Sequence, residues 1–342
     1  MMPPRAPWYL LLLTSCNVFD AQLYLQRDAG PDGNALPPLA LSDRCATNAT
    51  LITRTSGDYA IDTRALGNDL NDLASCAGRA LPGNDGFFRV AMTAGELWHF
   101  HVKALDGASN PAVYVLPGCD ERSCVSGLDE CGNGRDEHLS FRARESRDYL
   151  VGVDSSRAGG ARYELTVLRA TCGDGNPEHG ESCDDRNRTP GDGCDALCRA
   201  ELRDGAMERE PNDDFSDPNM ITPPGGAGTV TVQGRLGGRC DFDMFGVDLP
   251  VGGSVRATML DINGRPCETG APEFRMAWVN PDGRTVGGAG VVTMGNRCPA
   301  ISESERFAQA VTAAGIYHVR VSTAADLPAA VDYKLRFEIT RP

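Results

Sequence analysis

The stretch "FFRVAMTAGELWHFHV" (residues 87–102) has a counterpart later in the chain, "MFGVDLPVGGSVRATM" (residues 244–259). The two align without a gap: Phe88 falls on Phe245, Met92 on Leu249 and Gly95 on Gly252. Each reads as strand, tight turn at Ala-Gly or Gly-Gly, then strand. The correspondence continues downstream. "DYLVGVDSS" (148–156) parallels "IYHVRVSTA" (316–324), and "ARYELTVL" (161–168) parallels "VDYKLRFEI" (331–339). Alternation has period two, with Tyr149, Val151 and Val153 on one face and Tyr317, Val319 and Val321 likewise. No long stretch carries a helical period. Short strands between Gly, Pro and Asn turns predict an all-β protein with one β-sandwich in each half.

The composition agrees. The 342 residues suffice for two ordinary domains and something small, and 39 glycines with 22 prolines supply the turns. A net charge of −14 makes nucleic acid and anionic membrane surfaces poor partners and suits divalent cations better.

Between the copies lies "CGDGNPEHGESCDDRNRTPGDGCDALC" (172–198), in which, apart from cysteine and proline, only Ala196 and Leu197 are apolar. So small a segment cannot fold on burial alone. Two disulfides among Cys172, Cys183, Cys194 and Cys198 would contribute about 2–4 kcal/mol each, and the four cysteines allow three connectivities. Thirteen cysteines in all, with no C-x-x-C pair and no zinc-type Cys/His cluster, imply an oxidising compartment. Outside the central segment the cysteines divide into Cys45, Cys76, Cys119, Cys124 and Cys131, then Cys240, Cys267 and Cys298. Both counts are odd. Either one bridge crosses between halves or each half keeps a free thiol, and local bridges such as Cys119 with Cys124 or Cys131 are the favoured reading.

The N-terminus, "MMPPRAPWYLLLLTSC", sets Arg5 before an apolar run from Trp8 to Leu13 that is too short to span a bilayer. Leu13-Thr14-Ser15-Cys16 resembles the lipobox of bacterial lipoproteins. The resemblance implies a signal peptide over 1–15, cleavage before Cys16 and its acylation, and hence an anchor strong enough to be stable. Twelve cysteines then remain to pair. Asn17 lacks the aspartate of inner-membrane retention, which points to the outer membrane or cell surface. Residues 16–44 read as a mobile tether.

Three further resemblances define the rest. The repeated pattern resembles the bacterial pre-peptidase C-terminal (PPC) domain, over 203–342 on "EPNDDF" (210–215), "DFDMFGVDLPVGG" (241–253) and "AAGIYHVRVS" (313–322), and more loosely over 45–170. It implies a jelly-roll-like β-sandwich, usually an accessory, non-catalytic module of secreted proteins. The spacing C-x10-C-x10-C-x3-C with "CGDG", "GESCDD" and "GDGC" resembles the Myxococcus cysteine-rich repeat over 171–202, here read as a stiff spacer. Glu208-x-Glu210-x-Asn212-Asp213 resembles the calcium-coordinating linker of collagen-binding domains in secreted collagenases. Carried over, the calcium ligands are Glu208, Glu210, Asn212 and Asp213, with Asp241 and Asp243 from the sandwich. Calcium takes six to eight hard oxygens in flexible geometry, which such a set offers. The first copy has Asn84 and Gly86 where Asp241 and Asp243 stand, and no calcium is expected there.

Other polar groups read more plainly. Asp174, Glu181, Asp184, Asp185, Asp192 and Asp195 fit turn chemistry better than a second cation site. His99 and His101 share one face of a strand, with His138 the nearest third ligand for a zinc ion; a solvated outer face is the favoured reading. Trp98, Tyr114 and Trp278 are contact residues if exposed and core fillers otherwise. There is no G-x-S-x-G, H-E-x-x-H, Walker A or dinucleotide fingerprint. The sequence therefore describes a non-catalytic, lipid-anchored surface protein, adhesive or scaffolding, that binds an extracellular polymer or protein. Its alternatives are an accessory or inhibitory subunit of a secreted peptidase and an unrecognised hydrolase.

Overall fold

Period-two alternation becomes strand almost wherever the sequence carries it. The computed structural model describes residues 35–238, 240–265, 274–281, 300–301, 310–323, 327 and 329–342. The first half forms β1 (Leu51–Ile52), β2 (Ser56–Asp62), a single helical turn α1 (Ala74–Ala77), β3 (Gly86–Met92), β4 (Leu97–Ala104), β5 (Pro111–Leu116), β6 (Ser126–Leu128), β7 (Glu137–Arg142), β8 (Arg147–Ser155) and β9 (Arg162–Ala170). Then come β10 (Glu201–Leu202), β11 (Asn219–Ile221), β12 (Gly228–Leu236), β13 (Asp243–Leu249), β14 (Ser254–Leu260), β15 (Phe274–Val279), β16 (Ala300–Ile301), β17 (Gly315–Thr323) and β18 (Val331–Thr340). The first half has sheets in the order β1-β3-β8-β5-β6 and β2-β9-β4-β7. The second has β10-β11-β13-β17-β15 and β12-β18-β14-β16. The chain is all-β, in two two-sheet sandwiches.

The aligned segments occupy matching places. β3 and β13 each pair antiparallel with the later strand that carries the Tyr-x-Val-x-Val face, β8 or β17. β4 and β14 pair with β9 and β18. The shared turn is not a hairpin, because its two strands lie in opposite sheets. Gly95 (φ 90°) and Gly252 (φ 85°) adopt the left-handed conformation that redirects the chain across the sandwich. Each donates its N–H to a separate connection, Gly95 to Ala143 O between β7 and β8 (2.7 Å) and Gly252 to Val311 O just before β17 (2.8 Å). Inward residues then meet: Phe88, Phe100, Val151 and Leu165 in the first core, Phe245, Val319, Phe337 and Trp278 in the second. Trp98, Tyr114 and Trp278 are all buried, so they fill the interior instead of presenting a contact surface.

Pro37–Pro342 form one compact unit. The signal segment, Cys16, Asn17 and the tether as far as residue 34 lie outside the described residues. The last part of the expected tether is ordered strand-like chain: Leu39 donates to Ala60 O (3.0 Å), Ser42 donates to Phe87 O (2.9 Å), and Leu39 and Leu41 pack on the first core.

The central segment also differs from a free-standing spacer. Its bridges are Cys172–Cys198 and Cys183–Cys194. The half-cystines Cys183, Cys194 and Cys198 are buried with Ala200 and Leu202 in the second sandwich's core. Sulfur is itself the apolar surface that the composition lacked. β10 leaves the segment to lie parallel beside β11, as a strand of the second sandwich.

Among the described residues three further bridges form: Cys45–Cys119, Cys76–Cys124 and Cys131–Cys240. The expected pairing of Cys119 with Cys124 or Cys131 is corrected. Cys119 and Cys124 instead tie β5's neighbourhood to the segments before β1 and at α1, and Cys131 crosses between the halves. Cys267 and Cys298 lie outside the described residues.

Candidate cation site

Two strands of the second sandwich and the segment before it converge on one acidic spot. Residues 207–208 run beside β12: Met207 bridges Gln233, Glu208 donates its N–H to Gln233 O (2.9 Å), and Arg235 N–H donates to Glu208 Oε1. The chain then turns toward β13, where Met244 N–H donates to Asn212 O (2.9 Å) and Phe242 N–H to Asp213 Oδ1 (3.1 Å). Asp243 enters from the first position of β13, and Asp241 accepts from Gly237 N–H just before it. All six residues expected from the sequence thus lie on these adjoining segments.

One oxygen each of Glu208, Glu210 and Asp243 lies within 4.8 Å of the others. Asp243 and Asn212 have no accessible surface. Tyr333 OH donates to Asp243 Oδ2, whereas Asp243 Oδ1 and Glu208 Oε2 are buried with no hydrogen-bond partner. Burial, and then the charge of the neighbouring carboxylates, pushes Glu210, Asp213 and Asp243 well above the usual carboxylate range. Burial raises Glu208 to about 7 and lifts Asp241 as well. Among the described residues, no arginine or lysine is a leading cause of these shifts. Crowding several half-buried carboxylates around a buried one is costly, so they protonate or take a cation.

The Asn212 amide can face this spot in two ways. With its nitrogen inward it donates to Phe242 O and Glu210 Oε2, each at 3.2 Å. With its oxygen inward it adds another ligand beside the carboxylates, the orientation that a bound calcium favours. The donor set is all oxygen and mostly anionic, which fits calcium and not a soft transition metal.

The other acidic groups divide. Asp184 accepts N–H groups from Gly173, Asp174, Gly175 and Arg186, and Asp195 accepts from Leu197 and Arg199, as turn chemistry requires. Glu181 is buried and raised to about 7 by burial. In the first sandwich Asn84 hydrogen-bonds Thr63 O (3.2 Å), and a side chain on Gly86 would strike Leu41 and Leu66.

The histidines overturn the sequence reading. His99 and His101 are 4% and 8% exposed, so their face is not solvated. It is covered by the cysteine-rich segment, whose His179 stacks on His99 (ring centres 5.3 Å). Residues in seemingly unrelated contexts are brought together by the β4–β7 pairing, which sets His101 opposite His138. Neither alternation nor motif spacing signals a contact between residues so far apart in the chain.

No family model matches this chain, and no curated protein matches it. Among solved structures it is similar to PliG, a periplasmic inhibitor of g-type lysozyme from Aeromonas hydrophila, at 14% identity and TM-score 0.25, over 35% of this chain and 95% of that one. It is also similar to the CUB1-EGF-CUB2 segment of human MASP-1/3, at 10% identity and TM-score 0.20, over 84% of this chain and 100% of that one. An archaeal virus protein with a triple jelly-roll fold gives 8% identity and TM-score 0.21, over 85% of this chain and 61% of that one. Likenesses at this level carry no argument about function.

Proposed function

We propose that this is a non-catalytic, lipid-anchored protein of the bacterial outer surface that uses a calcium-braced pair of β-sandwiches to hold an extracellular polymer or protein. The observation that carries the reading is the acidic cluster of buried Asp243 with half-buried Glu208, Glu210, Asp213 and Asp241, crowded carboxylates that need a positive charge to balance them. Calcium, available outside the cell, supplies that balance and fixes the segment that leads into the second sandwich. Five disulfides among the described residues suit the same compartment. The PPC and Myxococcus cysteine-rich resemblances point the same way. Carboxylates locked in a cation cage and histidines stacked in a junction are poorly placed for acid–base catalysis on an outside substrate.

The test is retention of the mature chain on cell-wall sacculi and on fractionated surface polysaccharide, with calcium and with chelator, beside a panel of peptide and glycan substrates. Calcium-dependent retention without turnover is the expected result. Turnover lost on substituting a buried carboxylate would replace this reading with a hydrolase. Co-purification of a secreted peptidase would favour an accessory subunit.

A further inference from the structure

The segment that carries the cation ligands also reaches the first sandwich. Residues 209–219 form a loop whose root is pinned by a side chain: Asn219 accepts from Arg209 N–H (2.7 Å) and donates to Arg209 O (2.8 Å). Its tip is a turn in which Asp214 N–H donates to Asp217 Oδ1 (3.0 Å) and Asp217 N–H to Asp214 O (3.3 Å). Glu210, Asn212 and Asp213 belong to the acidic cluster, where Asn212 O and Asp213 Oδ1 take the N–H groups of Met244 and Phe242. The next residues turn to the other sandwich. Asp214 Oδ2 and Ser216 Oγ take the N–H groups of Ser140 (2.5 Å) and Arg142 (2.9 Å) on β7. Asp213 and Asp214 share one planar peptide unit, so a constraint on the first places the second.

The strand side of the cluster is tied to the first sandwich as well. Asp241 follows Cys240, which is bridged to Cys131. Beside that bridge Arg320 of β17 pairs with Glu130 (3.1 Å) and lies over the Phe242 ring, 4.6 Å from its centre. Phe215 of the loop meets His318 of β17 edge to face, with ring centres 5.5 Å apart. The contact between the two sandwiches is therefore built from residues adjacent in the chain to cation ligands.

We propose that the cation site is the lock of this joint: a divalent ion bound there holds residues 210–217 against β13 and so keeps Asp214 and Ser216 on the edge of β7. The inference rests on the calcium reading given above and extends it to a surface, β7, that holds none of the ligand residues.

The direction follows from where the ligands stand. Asp241 and Asp243 belong to β13 and its approach, whereas Glu210, Asn212 and Asp213 belong to the loop. With the loop seated, an ion has both sets; with the loop lifted, it loses the second. A ligand shifts an equilibrium toward the state that it binds better, so the ion favours the seated loop. Without an ion the carboxylates oppose seating. One oxygen each of Glu208, Glu210 and Asp243 lies within 4.8 Å of the others, and Asp243 Oδ1 is buried with no hydrogen-bond partner. The pinned root at Asn219 confines the motion to the tip, which is the part that caps β7.

The experiment is amide hydrogen exchange on the full disulfide-bonded chain at pH 7.5, in calcium and in chelator. It is read at Ser140 and Arg142 on β7, and at Val151 of β8 and Val319 of β17 inside the two cores. With calcium at about 100 times its Kd, the seated loop gains up to about 100-fold over the lifted one. Protection at Ser140 and Arg142 should therefore fall by about 10-fold or more on chelation, with Val151 and Val319 little changed. Calorimetry on the same material separates the two claims. Calcium heat with unchanged protection at Ser140 and Arg142 overturns the lock and leaves the cation site standing. Equal loss at all four amides also overturns the lock, because it reports a general loss of stability. Absence of heat removes the cation reading and the lock with it.

Discussion

Asp243 and Asp154 are both wholly buried, yet their surroundings give them different roles. Asp243 sits among the carboxylates of Glu208, Glu210 and Asp241 and a tyrosine hydroxyl, a set that a divalent ion can join. Asp154 takes one backbone N–H, that of Ser155 (2.6 Å), and leaves Oδ2 without a partner; burial raises it to about 8. A carboxyl whose folded value is raised favours folding while protonated and loses that contribution as pH climbs from the unfolded value through the folded one. Wild-type stability at this residue should therefore fall between about pH 4 and pH 8. Asp154→Asn removes the titration, so the variant should match wild type near pH 4 and exceed it by a few kcal/mol at pH 8. Urea unfolding midpoints at the two pH values check this, and a variant less stable than wild type at pH 8 would show that the ionised group is satisfied in the fold.

β7 is an edge strand, and edges need covering. Its cover comes from the segment just after the cation site: Ser140 N–H donates to Asp214 Oδ2 (2.5 Å) and Arg142 N–H to Ser216 Oγ (2.9 Å). The two sandwiches are therefore joined by side chains capping an open ladder. Asp214→Ala should cost about 1–3 kcal/mol by stranding a buried N–H, whereas Asp214→Asn keeps an acceptor and should cost less. Exchange of the Ser140 amide reads the difference, and equal behaviour of the two variants would refute the capping role. Elements of this kind mark where sequence reading stops. β3, β4, β8 and β9 and their counterparts were legible because alternation with one buried face leaves a period-two trace. The transfer of the chain between sheets at Gly95 and Gly252 was not, since a glycine turn looks the same in a hairpin and in a crossover. β10 was hidden for another reason: it is two residues long and its partner β11 only three, and its burial depends on cystine sulfur that counts as neither apolar nor polar in a pattern.

Taken whole, the molecule gathers its ties around the acidic cluster. Cys240, adjacent to Asp241, is bridged to Cys131 of the first sandwich; Arg320 of β17 meets Glu130 (3.1 Å); and Asp214, adjacent to Asp213, caps β7. The cluster was legible because its ligand-type residues recur within one short motif and at the start of one strand. The imidazole junction was not, because only the fold brings residues 99, 138 and 179 together. The central claim is that the clustered carboxylates around Asp243 enclose a divalent cation, and calcium calorimetry on the mature chain at pH 7.5 tests it most directly. The account predicts saturable heat with about one ion bound per chain at this site, lost in Asp243→Asn while that variant remains folded in chelator. Absence of heat from chelator-treated wild type, or heat unchanged in Asp243→Asn, would contradict it.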